Sequence, residues 1–533
     1  MKYPIGIQDF KSIIHDGYVY IDKTALVYKM THEGKTYFLS RPRRFGKSLL
    51  VSTLEYYFKG ERELFKGLAI DGLEREWTVH PVFHVDFNGE DFTDGQALLR
   101  KLDVLVQQWE TAYGITPNPQ ASIGMRFLSV LAAAHRQTGH RCVVLVDEYD
   151  KPLLDVMDTH LTTRLANGTE MLVEDYNRGI LKAFYSVFKE ADPHLQFVLL
   201  TGVTKFSQVS VFSGFNQPKD ISMDPRYDTL CGISKEELEQ YFKDEMKSMA
   251  LDLGLTETEL KKRLKDRYDG YHFSEKMVDV FNPFSILNAL DSHALRDYWF
   301  RTGTPTYLVR LLAHTQENLN DLAGKYYPTS DFIDYKADVE RPLPMIFQSG
   351  YLTIKGYDEM TETYLLDLPN NEVKQGFLTA LANNYLNTPL PVTPALVEMV
   401  HALSDGNLER LHKLLTSFFA SIPYSMRRKD SEREKERYFH YTFYLIFRLL
   451  STYIILTEKE QSEGRADCII ETARSVYVFE FKLDGTPDEA LAQINAKGYA
   501  RPYLSDPRKL YKVGVSFSSQ SGTIDGWKEE GEG

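Results

Sequence analysis

The sequence predicts an α/β protein in which two sheet-bearing parts flank a mostly helical region. Three observations carry this reading. From about residue 36 to residue 222, short apolar strands alternate with helical patterns. From 234 to about 425 the pattern is mostly helical. Beyond the charge-dense stretch RRKDSEREKER at 427–437, a second alternation runs in the order α-β-β-β-α-β.

Taken in order, the first part has strands at 37–39, 82–87, 142–146 and 197–201, and a weaker one at 220–222. The unbroken run Val143-Val144-Leu145-Val146 suits a parallel sheet covered on both faces. Helical crossovers must then join the strands. In the middle, 236–251 and 257–267 read as charged amphipathic helices, punctuated downstream by Asn282-Pro283 and the prolines of 342–344. The run at 427–437 reads as a solvated linker or helix start. The last part comprises a helix at 438–450, strands at 453–456, 466–471 and 475–481, a helix at 488–499 and a strand at 511–516. The expected division is 1–230, 231–416 and 417–533.

At 533 residues the chain is too long for one hydrophobic core. Its 43% hydrophobic and 26% charged residues are ordinary for a globular protein. A net charge of −13 excludes a molecule coated in basic surface, but not a local basic cleft. Cys142, Cys231 and Cys468 lack metal-ligand spacing and sit in or beside apolar runs, so buried thiols are expected. No run approaches the roughly 20 apolar residues of a membrane span. A cytoplasmic location and no membrane partner are expected.

Arg41-Pro42-Arg43-Arg44-Phe45-Gly46-Lys47-Ser48 lies between the first strand and an apolar helix at 49–58. Strand, turn and helix N-terminus in that order make a phosphate cradle. Lys47 would reach the β and γ phosphates of ATP, with Gly46 in the turn and Ser48 on Mg²⁺. Arg43 and Arg44 are candidates for phosphate contact. The usual first glycine of such a loop is replaced by Arg41. The strand at 142–146 ends in Asp147-Glu148, a Walker B arrangement in which Asp147 holds Mg²⁺ and Glu148 polarises the attacking water. Thr201 and Thr204, after the next strand, are both candidates to sense the γ-phosphate.

Several segments in order resemble the bacterial AAA-ATPase-like family: Ile5-Gly6-Ile7-Gln8-Asp9-Phe10, Tyr20-Ile21-Asp22-Lys23-Thr24, RPRRFGKS, VDEYDKP and TGVTKFSQVSVFSGFN. Tyr268-Asp269-Gly270-Tyr271 and Phe281-Asn282-Pro283-Phe284 extend the resemblance to about residue 290. The resemblance implies an additional-strand P-loop NTPase with strand order 5-1-4-3-2, in which the arginine-rich loop is normal. Residues 20–23 are expected near the adenine. Trp299 and its neighbours in WFRTGTPTYL also resemble family sequence, with no chemistry assigned.

Near the C-terminus, Asp467 opens one strand, while Glu480 and Lys482 lie two apart at the end of the next and so share a face. A hairpin would bring both carboxylates and the amine to one point. Asp467 and Glu480 could then hold Mg²⁺ with the carbonyl of Phe481, and Lys482 could orient water or offset developing charge. With Gln493 and Tyr499 on the following helix, the pattern resembles the PD-(D/E)XK nuclease superfamily over 417–517. Many members carry a Glu on the first helix, whereas here Phe439-His440-Tyr441-Thr442-Phe443-Tyr444 has none. His440 or Glu463 is left to fill that role.

The reading is an ATP-binding, ATP-hydrolysing protein coupled to a metal-dependent nuclease-like domain. ATP and nucleic acid, DNA before RNA, are the expected partners, and a homo-oligomer is allowed. The alternative is a nucleotide switch whose nuclease-like domain binds a partner without cutting.

Overall fold

The computed structural model describes residues 1–157, 159–165, 167–206, 218–300, 322–333, 342–386, 392–421, 446, 450, 455–456, 460–461, 464–465 and 468–532. The chain forms two compact units, Met1–Glu372 and Val373–Gly533.

The first unit is built on β1 (Thr36–Ser40), β2 (Val82–Asp86), β3 (Cys142–Asp147), β4 (Leu195–Gly202) and β5 (Lys219–Asp220). They are all parallel, in the order β2-β3-β4-β1-β5. This is the 5-1-4-3-2 arrangement that the family resemblance implies. Every residue of β3 is buried, as its unbroken apolar run requires. Helix α1 (Lys47–Phe58) follows the loop after β1, with Gly46 left-handed at its N-cap. Helices α2 (Ala97–Ala112) and α3 (Ile123–Thr138) precede β3, and α4 (Val173–Glu190) precedes β4. The carboxyl ends of β1, β3 and β4 lie side by side, where ligands bind in open α/β sheets.

Past the sheet, α5 (Lys235–Asp252) and α6 (Glu257–Tyr268) each start with a capping box, Ser234/Glu237 and Thr256/Glu259. Asn282 caps α7 (Pro283–Ser292), with Pro283 in its first turn. Leu238, Phe242, Leu260, Leu264, Ile286 and Leu290 form a core between these helices. The region also carries an antiparallel sheet, β6 (Lys325–Pro328), β7 (Thr353–Asp358) and β8 (Thr363–Asp367), in the order β6-β8-β7. The helical reading of the sequence does not anticipate it, because the strands are short and the first ends in Pro328. The chain boundary between the two units falls in the first turn of helix α8 (Asn371–Leu386).

In the second unit, α9 (Val392–Ser404) and α10 (Leu408–Ala420) precede a sheet of β9 (Ile455–Leu456), β10 (Cys468–Glu471), β11 (Ser475–Leu483), β12 (Lys509–Ser518) and β13 (Thr523–Glu532). The β11–β12 pair is parallel and the other pairs are antiparallel. Helix α11 (Pro487–Lys497), with its capping box Thr486/Glu489, makes the crossover between β11 and β12. It buries Leu491 and Ile494 against Ile469, Val476 and Val478. The edge strand β13 goes unread in the sequence, since its acidic, glycine-containing stretch lacks an apolar run. The expected helix at 438–450 lies outside the described residues, apart from Ile446 and Leu450. All three cysteines are buried and free. Among the described residues, no helix is long and apolar enough to cross a membrane.

Candidate nucleotide and metal sites

The loop after β1 presents its parts unequally. Arg43, Arg44 and Gly46 are exposed, whereas Arg41, Pro42, Phe45 and Lys47 are buried. Arg44 (φ +66°) and Gly46 (φ +94°) are left-handed, which tightens the turn into α1. Lys47 Nζ donates to the carbonyls of Arg41 (2.9 Å) and Pro42 (3.1 Å), so its ammonium sits under the loop. Ser48 follows in the first turn of α1 and is half-buried.

Asp147, at the end of β3, is 2% exposed and accepts a 2.6 Å hydrogen bond from the Thr201 hydroxyl at the end of β4. Glu148 adopts φ +50°, a strained value for a residue with a side chain. Burial pushes its carboxyl above the ordinary range, while Lys47 and Arg43 pull it down. Lys47, Asp147, Glu148 and Thr201 therefore gather at one end of the sheet.

Thr204 is placed differently. Its hydroxyl (2.8 Å) and amide (2.6 Å) both donate to Asp150, which also accepts from the amide of Val203 at 3.0 Å. Tyr149 Oη donates to the Thr204 carbonyl and accepts from the Phe206 amide. The Tyr149-Asp150 pair thus fastens the segment after β4. Of the two threonines, Thr201 touches Asp147 and Thr204 touches Asp150.

Arg41 explains the missing glycine. Its guanidinium is 1% exposed and donates to the carbonyls of Ser40 (2.9 Å), Ser222 (2.7 Å) and Tyr227 (3.2 Å). It also stacks 3.9 Å from the Phe273 ring centroid. A glycine normally gives such a loop its bend; here an arginine holds the bend from behind. Phe45 packs edge-on against Tyr271 (4.8 Å) and Phe273 (5.6 Å), which ties the loop to the Tyr268–Tyr271 motif. Arg41, Tyr149 and Asp150 have supporting roles that their place in the sequence does not reveal. The one available signal was the placement of an arginine where glycine is usual.

Beside Gly46, a mainly apolar pocket of about 90 Å³ is bordered by Tyr20, Ile21, Leu49, Leu230 and Pro283. Lys23, also on its wall, is clasped by Glu237 of α5 at 2.5 Å. Burial lowers the Lys23 pKa, against the pull of that carboxylate.

In the second unit, Glu480 is 2% exposed near the end of β11. Lys482 Nζ lies 3.5 Å from Glu480 Oε1 and donates to Gln493 Oε1 at 2.6 Å. Gly514, opposite Glu480 on β12, is what brings α11 this close. A Cβ there would sit 2.3 Å from the Pro487 carbonyl oxygen and 3.1 Å from Leu491. Tyr499 is 3% exposed and belongs to the core under α11. Asp467, Glu463 and His440 lie outside the described residues.

A family model described as "Predicted AAA-ATPase" matches residues 4–212, and one for the PD-(D/E)XK nuclease superfamily matches residues 434–527. An "Uncharacterized protein in vnfD 5'region" from Azotobacter chroococcum mcd 1 is 36% identical over 538 residues, covering 100% of this chain and 99% of that protein. The chain belongs to the AAA-ATPase-like family with a C-terminal PD-(D/E)XK nuclease superfamily domain. Within this AAA-ATPase-like protein, the first match spans all the loop and strand-end residues from Arg41 to Thr204, and the second spans Glu480, Lys482 and Gln493.

Proposed function

We propose that this protein binds and hydrolyses ATP at the loop Arg41–Ser48 and uses the nucleotide cycle to control metal-dependent cleavage of nucleic acid, DNA before RNA, by the nuclease-like domain of its second unit. The functional parts in this reading are 1–230 for the nucleotide, 231–416 as a lid and linker region that carries the sheet β6-β8-β7 beside its helices, and 417–533 for the nuclease-like domain. The observation that carries it is the gathering of Lys47, Asp147, Glu148 and Thr201 at the carboxyl ends of β1, β3 and β4.

In this reading the amides of the turn and Lys47 hold the β and γ phosphates, with Arg43 and Arg44 at the exposed rim. The pocket beside Gly46 takes the base between Tyr20, Ile21 and Leu230. Ser48 and Asp147 are the hard oxygen ligands suited to Mg²⁺, and Thr201 fixes the rotamer of Asp147. Magnesium, when bound, offsets phosphate charge and makes bound water more acidic. Glu148 orients the attacking water; its burial favours taking a proton. Thr204 serves through Asp150, by holding the segment that follows the sensing strand.

For the second unit, a buried Glu480 beside Lys482 supports a site for a divalent cation completed by Asp467. Gln493 restrains Lys482 at the position from which it would orient water. Tyr499 acts in this reading as a packing residue. His440 or Glu463 supplies the further group that many members carry as a glutamate. The acid-free sequence 439–444 favours one alternative, a nucleotide switch whose second domain binds nucleic acid or a partner without cutting.

The test is nicking of supercoiled plasmid in Mg²⁺ or Mn²⁺, with and without ATP, by wild type, Lys47→Ala and Asp467→Ala. Cleavage is expected from wild type and lost in Asp467→Ala, with ATP dependence lost in Lys47→Ala. If wild type binds ATP and leaves the plasmid intact under every condition, the non-cleaving alternative replaces this reading.

A further inference from the structure

Four consecutive residues of the phosphate loop are each held by a different partner from residues 271–350. A Cβ on Gly350 would lie 2.7 Å from Pro42, so this backbone abuts the loop. The carbonyl of Arg43 accepts a 2.9 Å hydrogen bond from the indole Nε1 of Trp299. The Arg44 guanidinium lies 5.0 Å from the ring centroid of Phe284. Phe45 packs on Tyr271 and Phe273.

The two central contacts converge on one side chain. Glu372 is 1% exposed; its Oε1 accepts from the Trp299 amide at 2.6 Å, and its Oε2 accepts from the Ser285 hydroxyl at 2.6 Å. Ser285 follows Phe284 on α7, where the Asn282 cap fixes it through a 3.1 Å bond to its amide. One buried carboxylate thus ties together the residue that holds Arg43 and the helix that holds Arg44. Glu372 is also in the first turn of α8, the helix through which the chain passes into the second unit. A buried carboxylate is costly unless hydrogen-bonded, and here the two bonds that offset the cost come from separate elements, each carrying a residue that touches the loop.

We propose that Trp299 and Glu372 are positioning residues of the nucleotide site: a tether that fixes Arg43 and Arg44 and conveys nucleotide arrival to the first turn of α8. This rests on the nucleotide reading of the loop. It gives a role to Phe284 and to Trp299, the latter in a segment to which the sequence assigns no chemistry. Phosphate held by the amides of the turn reorients the peptide plane that carries the Arg43 carbonyl, and the indole bonded to that carbonyl changes environment in response.

The experiment uses the full chain and a non-hydrolysable ATP analogue, adenylyl imidodiphosphate, with Mg²⁺. The four tryptophans make intrinsic fluorescence the direct readout. Addition of the analogue is expected to change the emission of wild type and of Trp109→Phe, and to leave Trp299→Phe unchanged. Calorimetry should show Trp299→Phe and Glu372→Ala binding about fivefold more weakly, the value of one lost hydrogen bond. Glu372→Gln keeps an acceptor for the Trp299 amide and should bind within about twofold of wild type. The analogue should slow amide exchange across residues 371–379 in wild type and not in Trp299→Phe. Full emission and exchange responses in Trp299→Phe would overturn the tether while leaving the nucleotide site standing. So would unaltered affinity in both Trp299→Phe and Glu372→Ala. Failure of wild type to bind the analogue would instead overturn the nucleotide reading, and the tether with it.

Discussion

Replacing Arg41 by glycine restores the usual phosphate-loop pattern, and a motif-based argument expects Arg41→Gly to be harmless or helpful. The structure gives the opposite expectation. The guanidinium is 1% exposed and donates to the carbonyls of Ser222 at 2.7 Å and Ser40 at 2.9 Å, with a weaker bond to Tyr227 at 3.2 Å. Hydrogen bonds from a charged donor contribute about 1.5–3 kcal/mol each, and a desolvated cation–π contact such as that with Phe273 adds about 2 kcal/mol. Burial opposes these terms, and it lowers the arginine's pKa for the same reason. Deleting the side chain also leaves the carbonyls of Ser222 and Tyr227 without this donor, and glycine loosens the unfolded chain. The net expectation is a loss of about 3–5 kcal/mol, the sum of the charge-assisted bonds and the ring contact less the cost of burying the guanidinium. With a urea dependence of about 3 kcal/mol per molar, the unfolding midpoint of the first unit should fall by about 1 M or more. Urea titration followed by tryptophan fluorescence measures it. An Arg41→Gly protein as stable as wild type would refute the claim that arginine holds the loop from behind.

Two further outcomes follow from the same geometry. Thr201→Val keeps the shape of the side chain and removes the 2.6 Å bond to Asp147; phosphate release from ATP should fall by tenfold or more, about 1.4 kcal/mol in the barrier, with binding little changed. Equal loss of binding and turnover would argue against a role confined to the reacting end. Burial raises the Glu372 carboxyl to about 7 and that of Asp269 to about 6. Because these folded-state values lie above the unfolded ones, their stabilising contribution is fully present below the ordinary carboxyl range. It is lost as the pH rises through about 6 for Asp269 and about 7 for Glu372. The unfolding free energy from urea titration should therefore decline from pH 5 to pH 8, by about 3 kcal/mol at most for Glu372, and Glu372→Gln should remove the upper step. A midpoint that climbs over that range would contradict the sign.

Much of the first unit was legible in the sequence because parallel strands buried on both faces write unbroken apolar runs. Val143–Val146 is such a run, and the structure buries every residue of β3. Strand order is not written in spacing; 5-1-4-3-2 came from the family resemblance and is the order found. The short strands β6 to β8 and the acidic edge strand β13 were not legible, because partly exposed antiparallel strands carry little apolar signal. At the site, the spacing of Lys47, Asp147 and Thr201 from their strands placed them at one sheet end. The part that sequence could not supply was the support. Asp150 under Thr204, Phe273 under Arg41 and Glu372 behind Trp299 are distant in sequence, and only folding brings them together. The pairing of Lys482 with Gln493 was half-legible, since the helix containing Gln493 was expected but its close approach depends on Gly514.

The most direct test of the account is equilibrium binding of Mg²⁺ and the non-hydrolysable ATP analogue to the full chain, measured by calorimetry for wild type and Lys47→Ala. Lys47 stands under the loop on the carbonyls of Arg41 and Pro42, poised to exchange those partners for phosphate oxygens. Saturable one-to-one binding is predicted for wild type, with a loss of at least a hundredfold in Lys47→Ala, the scale of a charge-assisted contact of about 3 kcal/mol. A wild-type protein that takes up no nucleotide, or a Lys47→Ala protein that binds it equally well, would contradict the assignment of this loop.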